Sequence, residues 1–124
     1  MRQIFAGGVI ALMCVMVLGL VSVAENQMGI RDTYKVSFSE QVRVADTVLP
    51  QGEYQIRHLM EGSDHIMVFR QLGSKNPVEV RAKCTLVKLA AKALRDEKIY
   101  TVNSKNERVL YELVFKGDLA SHQF

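Results

Sequence analysis

Apolar and polar residues alternate along the chain from Tyr34 onward, with a period of two rather than the 3.6 of a helix. This alternation is typical of strands that bury one face and expose the other. It predicts strands over residues 34–44 with a polar interruption at Glu40, then over 53–60, 65–71, 78–87, 99–103 and 108–116. On the last strand the apolar face is predicted to carry Val109, Tyr111, Leu113 and Phe115.

Turn-forming residues fall between these predicted strands. Both prolines lie at such breaks, and so do four of the five glycines after Ala24: Gly52, Gly62, Gly73 and Gly117. Because turn chemistry and alternation agree, we predict an all-β fold, a single small β-sandwich or partly open barrel of about six to seven antiparallel strands. This domain is expected to span residues 34–118, between a flexible N-terminal segment at 25–33 and a C-terminal tail at 119–124.

Residues 86–94 do not fit the alternation cleanly. They are rich in Ala, Leu and Lys, and Lys88, Lys92 and Arg95 are spaced as on one face of a helix. Two interpretations stay open: a short helix or crossover between sheets, and a long edge strand followed by a loop. We favour the crossover, with its basic residues facing solvent rather than anionic lipid.

The first 24 residues have the pattern of an export signal. Arg2 precedes an uncharged, mostly apolar stretch from Ile4 to Ala24, and small residues at Ser22 and Ala24 stand where a signal peptidase cleaves. We therefore predict an N-terminal signal helix, cleavage after Ala24, and export to the periplasm or the extracellular space. The alternative is an uncleaved anchor in the inner membrane, since residues 4–24 are long enough to span a bilayer core.

Charge and cysteine content narrow the expected partners. The 124 residues carry a net charge of +3, which falls to +2 when Arg2 leaves with the leader, so nucleic-acid binding is disfavoured. Contact with a membrane is expected only through an uncleaved leader. Cleavage also removes Cys14 and leaves Cys84 as the single thiol, so no intramolecular disulfide can form. Because Cys84 is in register with apolar neighbours, we expect a buried small hydrophobe rather than a reactive thiol or an intermolecular disulfide.

A candidate metal site lies on the predicted hairpin of residues 53–71. With a tip at residues 62–63, His58 faces Met67 and Met60 faces His65 across the two strands. These four side chains then share one face, and thioethers and imidazoles are ligands suited to Cu(I). Aromatic and aliphatic residues occupy the same face, which leaves core packing as the alternative.

The turn between the first strands carries a resemblance to a known group of proteins. Residues 48–54 read V-L-P-Q-G-E-Y between two strands. This L-P-x-G-x-Y turn, together with the leader and the last strand, resembles the small exported β-domain proteins of Acidobacteria, and it is similar to turns of transthyretin-like and carboxypeptidase regulatory-like sandwiches. The resemblance covers about Lys35 to Asp118 and implies a β-sandwich outside the cytoplasm, and it carries over no catalytic residues because none are established for these proteins. The Lys- and Ala-rich segment at 88–95 departs from that pattern.

No catalytic or nucleotide-binding motif occurs: nucleophile elbow, zinc-protease helix, phosphate loop, dinucleotide fingerprint and EF-hand spacing are all missing from the sequence. The leading hypothesis is therefore a non-catalytic binding or structural module of the cell envelope, without a cofactor, whose partner is another envelope protein that contacts its edge strands. The alternative is a small-ligand or copper carrier that uses His58, Met60, His65 and Met67. An enzyme is the third hypothesis.

Overall fold

The chain folds into nine strands and no helix over residues 29–124, the range that the computed structural model describes. In chain order the strands are β1 (Thr33–Phe38), β2 (Val42–Val44), β3 (Thr47–Leu49), β4 (Gly52–Glu61), β5 (Asp64–Gln71), β6 (Glu79–Lys88), β7 (Glu97–Val102), β8 (Arg108–Val114) and β9 (Ala120–Gln123). The predicted all-β class is confirmed, with nine strands in place of about six to seven.

The strands form one open sheet in the order β1-β4-β5-β6-β9-β8-β2-β3, and β7 pairs with β8 as well. The paired strands are antiparallel except for β2 and β8, which run parallel. The predicted strand over residues 34–44 is divided in two, because the polar residues around Glu40 end β1. Its second half, β2, then pairs with β3 and β8 instead of following β1 onto β4.

Residues from both ends of the sheet enclose one apolar core. On β1 the alternation is strict, with Tyr34, Val36 and Phe38 buried and the residues between them exposed. Leu113 of β8 and Phe115 just after it belong to the same buried cluster. The rings of Tyr34 and Phe115 stack with their centroids 3.9 Å apart. Strands from the two parts of the open sheet therefore pack against each other across this core, in a sandwich-like arrangement.

Strand β6 carries the chain from one part of the sheet to the other. It pairs with β5 as far as Cys84 and with β9 from Thr85 onward. β6 extends to Lys88, and residues 89–96 form a loop without a helix. Of the two interpretations of residues 86–94, the long strand followed by a loop is the one found, although β6 lies inside the sheet rather than at its edge.

The hairpin of β4 and β5 has the predicted tip. Glu61 pairs with Asp64, which leaves Gly62 and Ser63 as a two-residue loop. Gly62 has a φ of 60°, the left-handed conformation that such loops need and that glycine adopts without steric cost. The tip fixes the register of the whole hairpin, and so the positions of its histidines.

One face of β8 differs from the prediction. Tyr111, expected in the buried register, is 41% exposed, whereas Leu110 is 3% exposed. Ile99 lies opposite Glu112 but Tyr100 lies opposite Leu110, so Tyr111 has no partner residue on β7 and forms a bulge. Such a bulge interrupts the alternation, because the side chains on its two sides follow different registers.

The C-terminal segment 119–124, expected as a tail, contains β9. Its buried residues are Ala120, Ser121 and His122. None of these is a large apolar side chain, so the hydrophobic pattern carries no strand signal here. The correction matters for function because it brings His122 into the core.

The predicted signal helix and its cleavage point, over residues 1–24, lie outside the described residues. The part of the chain that the structure describes, residues 29–124, contains no helix with the length and hydrophobicity of a membrane span. Export and localisation therefore stay predictions.

Candidate metal centre

Strands β4 and β5 place two histidines side by side on the core-facing side of their hairpin. The predicted register is confirmed, with His58 opposite Met67 and Met60 opposite His65. His58 and His65 are therefore diagonal neighbours, and their rings stack with centroids 5.1 Å apart. Nδ1 of His65 lies 3.1 Å from Nε2 of His58, a hydrogen-bonding distance between the two rings.

β6 and β9 add a thiol and a third imidazole to this pair. Cys84 lies opposite His65 in the register of β5 and β6. His122 lies opposite Leu86 in β6, which places it diagonally beside Cys84 on the same face. Sγ of Cys84 is 3.8 Å from Nδ1 of His122, and the His122 ring meets His58 edge to face with centroids 5.7 Å apart. We call these four side chains the His-Cys cluster: His58, His65, Cys84 and His122.

The cluster is compact enough to hold one metal ion. One donor atom from each of His58, Cys84 and His122 lies within 4.8 Å of the other two. A tetrahedral ion with bonds of 2.0–2.3 Å keeps its donor atoms about 3.5 Å apart, so side-chain shifts of about 1 Å would close the site. His65 is not one of these three residues, but its Nδ1 lies 3.1 Å from Nε2 of His58, so a movement of its side chain would bring it to the same ion. Thiolate and imidazole ligands suit copper and zinc, whereas magnesium and calcium prefer oxygen.

His122 is the most deeply placed member of the cluster. It is fully buried, and its Nε2 has no hydrogen-bond partner among the described residues. Tyr34 and Phe115 pack against the ring edge to face, at 5.6 and 5.7 Å between centroids. A buried polar atom without a partner costs about 1–3 kcal/mol. The other ring nitrogen, Nδ1, is the one that lies near the Cys84 thiol, at 3.8 Å from Sγ.

Burial also sets the protonation of the cluster. Burial, together with the nearby His58 and His65, lowers the pKa of His122 to about 4. Burial, followed by the proximity of His65, likewise lowers the pKa of His58. Both rings are therefore neutral near pH 7, the form in which imidazole binds a metal ion. Burial raises the pKa of the Cys84 thiol to about 11, so metal binding there must release a proton.

A buried carboxylate fixes the start of the strand that carries His122. Asp118, in the turn before β9, accepts a hydrogen bond from the Tyr34 hydroxyl at 2.7 Å and lies 3.6 Å from Nε of Arg31. Its backbone carbonyl accepts a hydrogen bond from the N–H of Ala93 at 3.0 Å. These contacts join β1 and the loop after β6 to the turn. They therefore fix the position at which β9 begins.

A surface cavity of about 560 Å³ opens beside the cluster. It lies where β5 begins, where β9 ends and where β6 changes partner. His65 and Cys84 line this cavity. On the other side of the cluster, Tyr34 and Phe115 cover the ring of His122. The cluster thus has one closed side and one side next to solvent.

Two of the four predicted ligands lie in the cluster and two do not. His58 and His65 belong to the His-Cys cluster. Met67 is fully buried opposite His58 and belongs to the apolar core, whereas Met60 is 53% exposed. Met67 therefore agrees with the packing alternative, and the thioether of Met60 has open access to solvent.

Two cluster residues were missed by the sequence reasoning. The prediction that Cys84 is buried is confirmed by its 8% exposure, but its proximity to His65 follows only from the pairing of β5 with β6. His122 has no local signal at all, because the residues around it do not alternate. A search for histidines and cysteines on neighbouring strands of one predicted sheet could have found Cys84.

Comparison with known proteins gives no match: no family model, no curated protein and no solved structure matches this chain. The resemblance to small exported β-domain proteins stays a prediction. Function must therefore be inferred from the residues of the site itself.

Proposed function

We propose that this protein binds one Cu(I) ion through the His-Cys cluster. The observation that supports the proposal best is the convergence of three donor atoms, one each from His58, Cys84 and His122, within 4.8 Å of one another in a largely buried position. Imidazole and thiolate are ligands that copper favours.

The charge of the site favours Cu(I) over Zn(II). The cluster contains one group that becomes an anion, Cys84, and three imidazoles, which bind a metal ion as uncharged ligands. Cu(I) with one thiolate forms a neutral complex, whereas Zn(II) with the same ligands leaves one uncompensated positive charge. His122 and Cys84 are buried, and an unpaired charge is expensive in such surroundings. The buried carboxylate of Asp118 already has Tyr34 and Arg31 as partners.

The proposal keeps the metal and the hairpin that the sequence analysis suggested as an alternative, and it changes the ligands. His58 and His65 remain, while Cys84 and His122 take the places of the two methionines. The two ligand sets make different predictions for single substitutions, so mutagenesis can separate them.

A competition titration tests the proposal. Purified protein is titrated with Cu(I) against bicinchoninate under reducing, anaerobic conditions, and we expect one ion per chain. Cys84→Ser and His122→Leu should each weaken the affinity at least tenfold, since each removes a ligand. Met60→Leu is the matched control and should leave the affinity unchanged. No binding by the parent protein, or equal binding by the Cys84→Ser and His122→Leu variants, would refute the proposal.

A second candidate function is the binding of another envelope protein, as the leading hypothesis from the sequence suggests. Within residues 29–124, β7 pairs with β8 alone. Apolar side chains are exposed on β7 and just before it: Leu94 at 90%, Val102 at 67% and Ile99 at 37%. An edge strand of this kind supports binding of an extended segment of a partner as an additional strand.

Crosslinking in the native cell envelope tests this second candidate. Val102→Lys should abolish the capture of a partner, because a charged side chain on an edge opposes strand addition. Val87→Lys alters an exposed apolar residue of β6 and should leave capture unchanged. A partner captured equally by all three proteins would contradict binding at β7.

A further inference from the structure

The His-Cys cluster has different surroundings on its two sides, and this asymmetry bears on how an ion reaches it. His122 is fully buried beneath Tyr34 and Phe115. His65 is only partly buried, and it lines the surface cavity together with Cys84. An ion therefore has a short path to the cluster from the cavity, and a packed core blocks the opposite direction.

We infer that Cu(I) enters and leaves the cluster through this cavity by ligand exchange, with His65 as the ligand that is displaced. The inference rests on the proposed copper site and concerns how that site exchanges its ion. His65 is suited to this role because its Nδ1 already lies 3.1 Å from His58, while its ring borders the cavity. Rotation of one half-buried side chain would uncover the ion without opening the core.

The exchange step is balanced without a redox partner. An incoming soft donor, such as a thiolate or the ring nitrogen of an aromatic heterocycle, supplies one lone pair to the ion from the cavity side. The bond between the ion and His65 breaks, and the imidazole leaves as a neutral group. Copper stays Cu(I) throughout. After the remaining bonds have broken, the Cys84 thiolate takes up one proton from water.

The walls of the cavity are polar, which suits a polar molecule that takes up the copper ion. Ser63, Asp64 and Gln123 line it, and Lys83 forms an ion pair with Asp64 at 3.2 Å. Thr85 also lines the cavity while its side chain is exposed on β6. Thr85 is not a member of the His-Cys cluster, so a large side chain at this position would narrow the route without removing a ligand, which makes the position a direct probe of the path.

Stopped-flow transfer of Cu(I) from the loaded protein to excess bicinchoninate tests the inference. Thr85→Trp should slow transfer about tenfold at unchanged equilibrium affinity. Thr101→Trp, which alters an exposed threonine of β7 away from the cavity, is the matched control and should transfer at the parent rate. His65→Ala should accelerate transfer about tenfold, because the ion then lacks its cavity-side ligand.

The outcomes separate the two proposals. If the parent protein binds no Cu(I), the copper site itself is refuted. If it binds Cu(I) but Thr85→Trp and Thr101→Trp transfer at the same rate, the cavity route is wrong and the site stands. If His65→Ala transfers no faster than the parent protein while Thr85→Trp transfers more slowly, the role of His65 is refuted.

Discussion

The hydroxyl of Tyr34 donates a hydrogen bond to Oδ2 of Asp118 at 2.7 Å, across 84 positions of sequence. The same hydroxyl accepts a hydrogen bond from the backbone N–H of Arg31 at 2.9 Å. Burial raises the pKa of Asp118, while Tyr34 and Arg31 oppose that rise. This link joins the first strand to the turn that positions His122, so it connects the stability of the fold with the geometry of the cluster.

Tyr34→Phe should therefore destabilise the protein. The substitution keeps the ring that stacks on Phe115 and removes the donor to a carboxylate whose side chain is 2% exposed. A buried hydrogen bond to a charged group contributes about 1.5–3 kcal/mol, so we expect the free energy of unfolding in urea to fall by about 2 kcal/mol.

Tyr54→Phe is the matched control for this loss. The Tyr54 hydroxyl donates to the backbone carbonyl of Pro50 at 2.6 Å, which is an uncharged acceptor. Its removal should cost about 1 kcal/mol. A smaller loss for Tyr34→Phe than for Tyr54→Phe would show that Asp118 does not depend on the Tyr34 hydroxyl.

Cys84 should react slowly with iodoacetamide in the metal-free protein. Only the thiolate reacts, and a pKa of about 11 makes the thiolate about 100-fold rarer than in an ordinary thiol. The 8% exposure of Cys84 slows the reaction further. The measurement uses a Cys14→Ser chain, so that one thiol remains, with the same chain in concentrated urea as the control. Equal rates in the folded and unfolded chain would contradict the burial of Cys84.

The metal-free protein should lose stability as the pH falls from about 6.5 to about 4. His122 has a pKa of about 4 in the folded state and an ordinary value near 6.5 when unfolded. Between these values the unfolded chain binds more protons, so acid favours unfolding and the stabilisation is complete only above pH 6.5. The shift corresponds to a loss on the order of 3 kcal/mol. Urea unfolding at several pH values in the presence of a chelator measures it.

His122→Leu isolates this contribution from other groups that titrate in the same range. The free energy of unfolding of this variant should fall less between pH 6.5 and pH 4, because the variant lacks the buried imidazole. Near pH 7 it should be as stable as the parent protein or more stable, since the unpaired Nε2 is gone. Identical pH profiles for the two proteins would mean that His122 titrates normally in the folded state.

Much of the fold could be predicted because β1 and the first part of β6 follow a strict alternation and because turn residues mark the ends of the strands. The tip at Gly62 even fixed the pairing of His58 with Met67. Strand β9 escaped prediction because its buried residues are small or polar. The predicted burial of Tyr111 was wrong because a bulge interrupts the alternation of β8. Nothing in the local composition marks the extra residue.

The candidate site was predictable only in part, for a related reason. His58 and His65 lie on one hairpin, so their proximity follows from a single local register. Cys84 requires the pairing of a further strand, and His122 requires the partner change within β6. A constellation assembled from four strands depends on long-range topology, which the alternation of a single sequence does not contain.

Cu(I) should stabilise the protein more than Zn(II) at the same free concentration. A ligand that binds only the folded state at 100 times its dissociation constant adds about 2.7 kcal/mol, which corresponds to a rise in Tm of roughly 10–20 °C for a domain of this size. Thermal unfolding in buffers that fix the free metal concentration measures both ions. Cys84→Ser should lose most of the rise with Cu(I), because the neutral complex needs the thiolate, and Met60→Leu should keep it. An equal or larger rise with Zn(II) would show that the charge of the buried site does not select the monovalent ion.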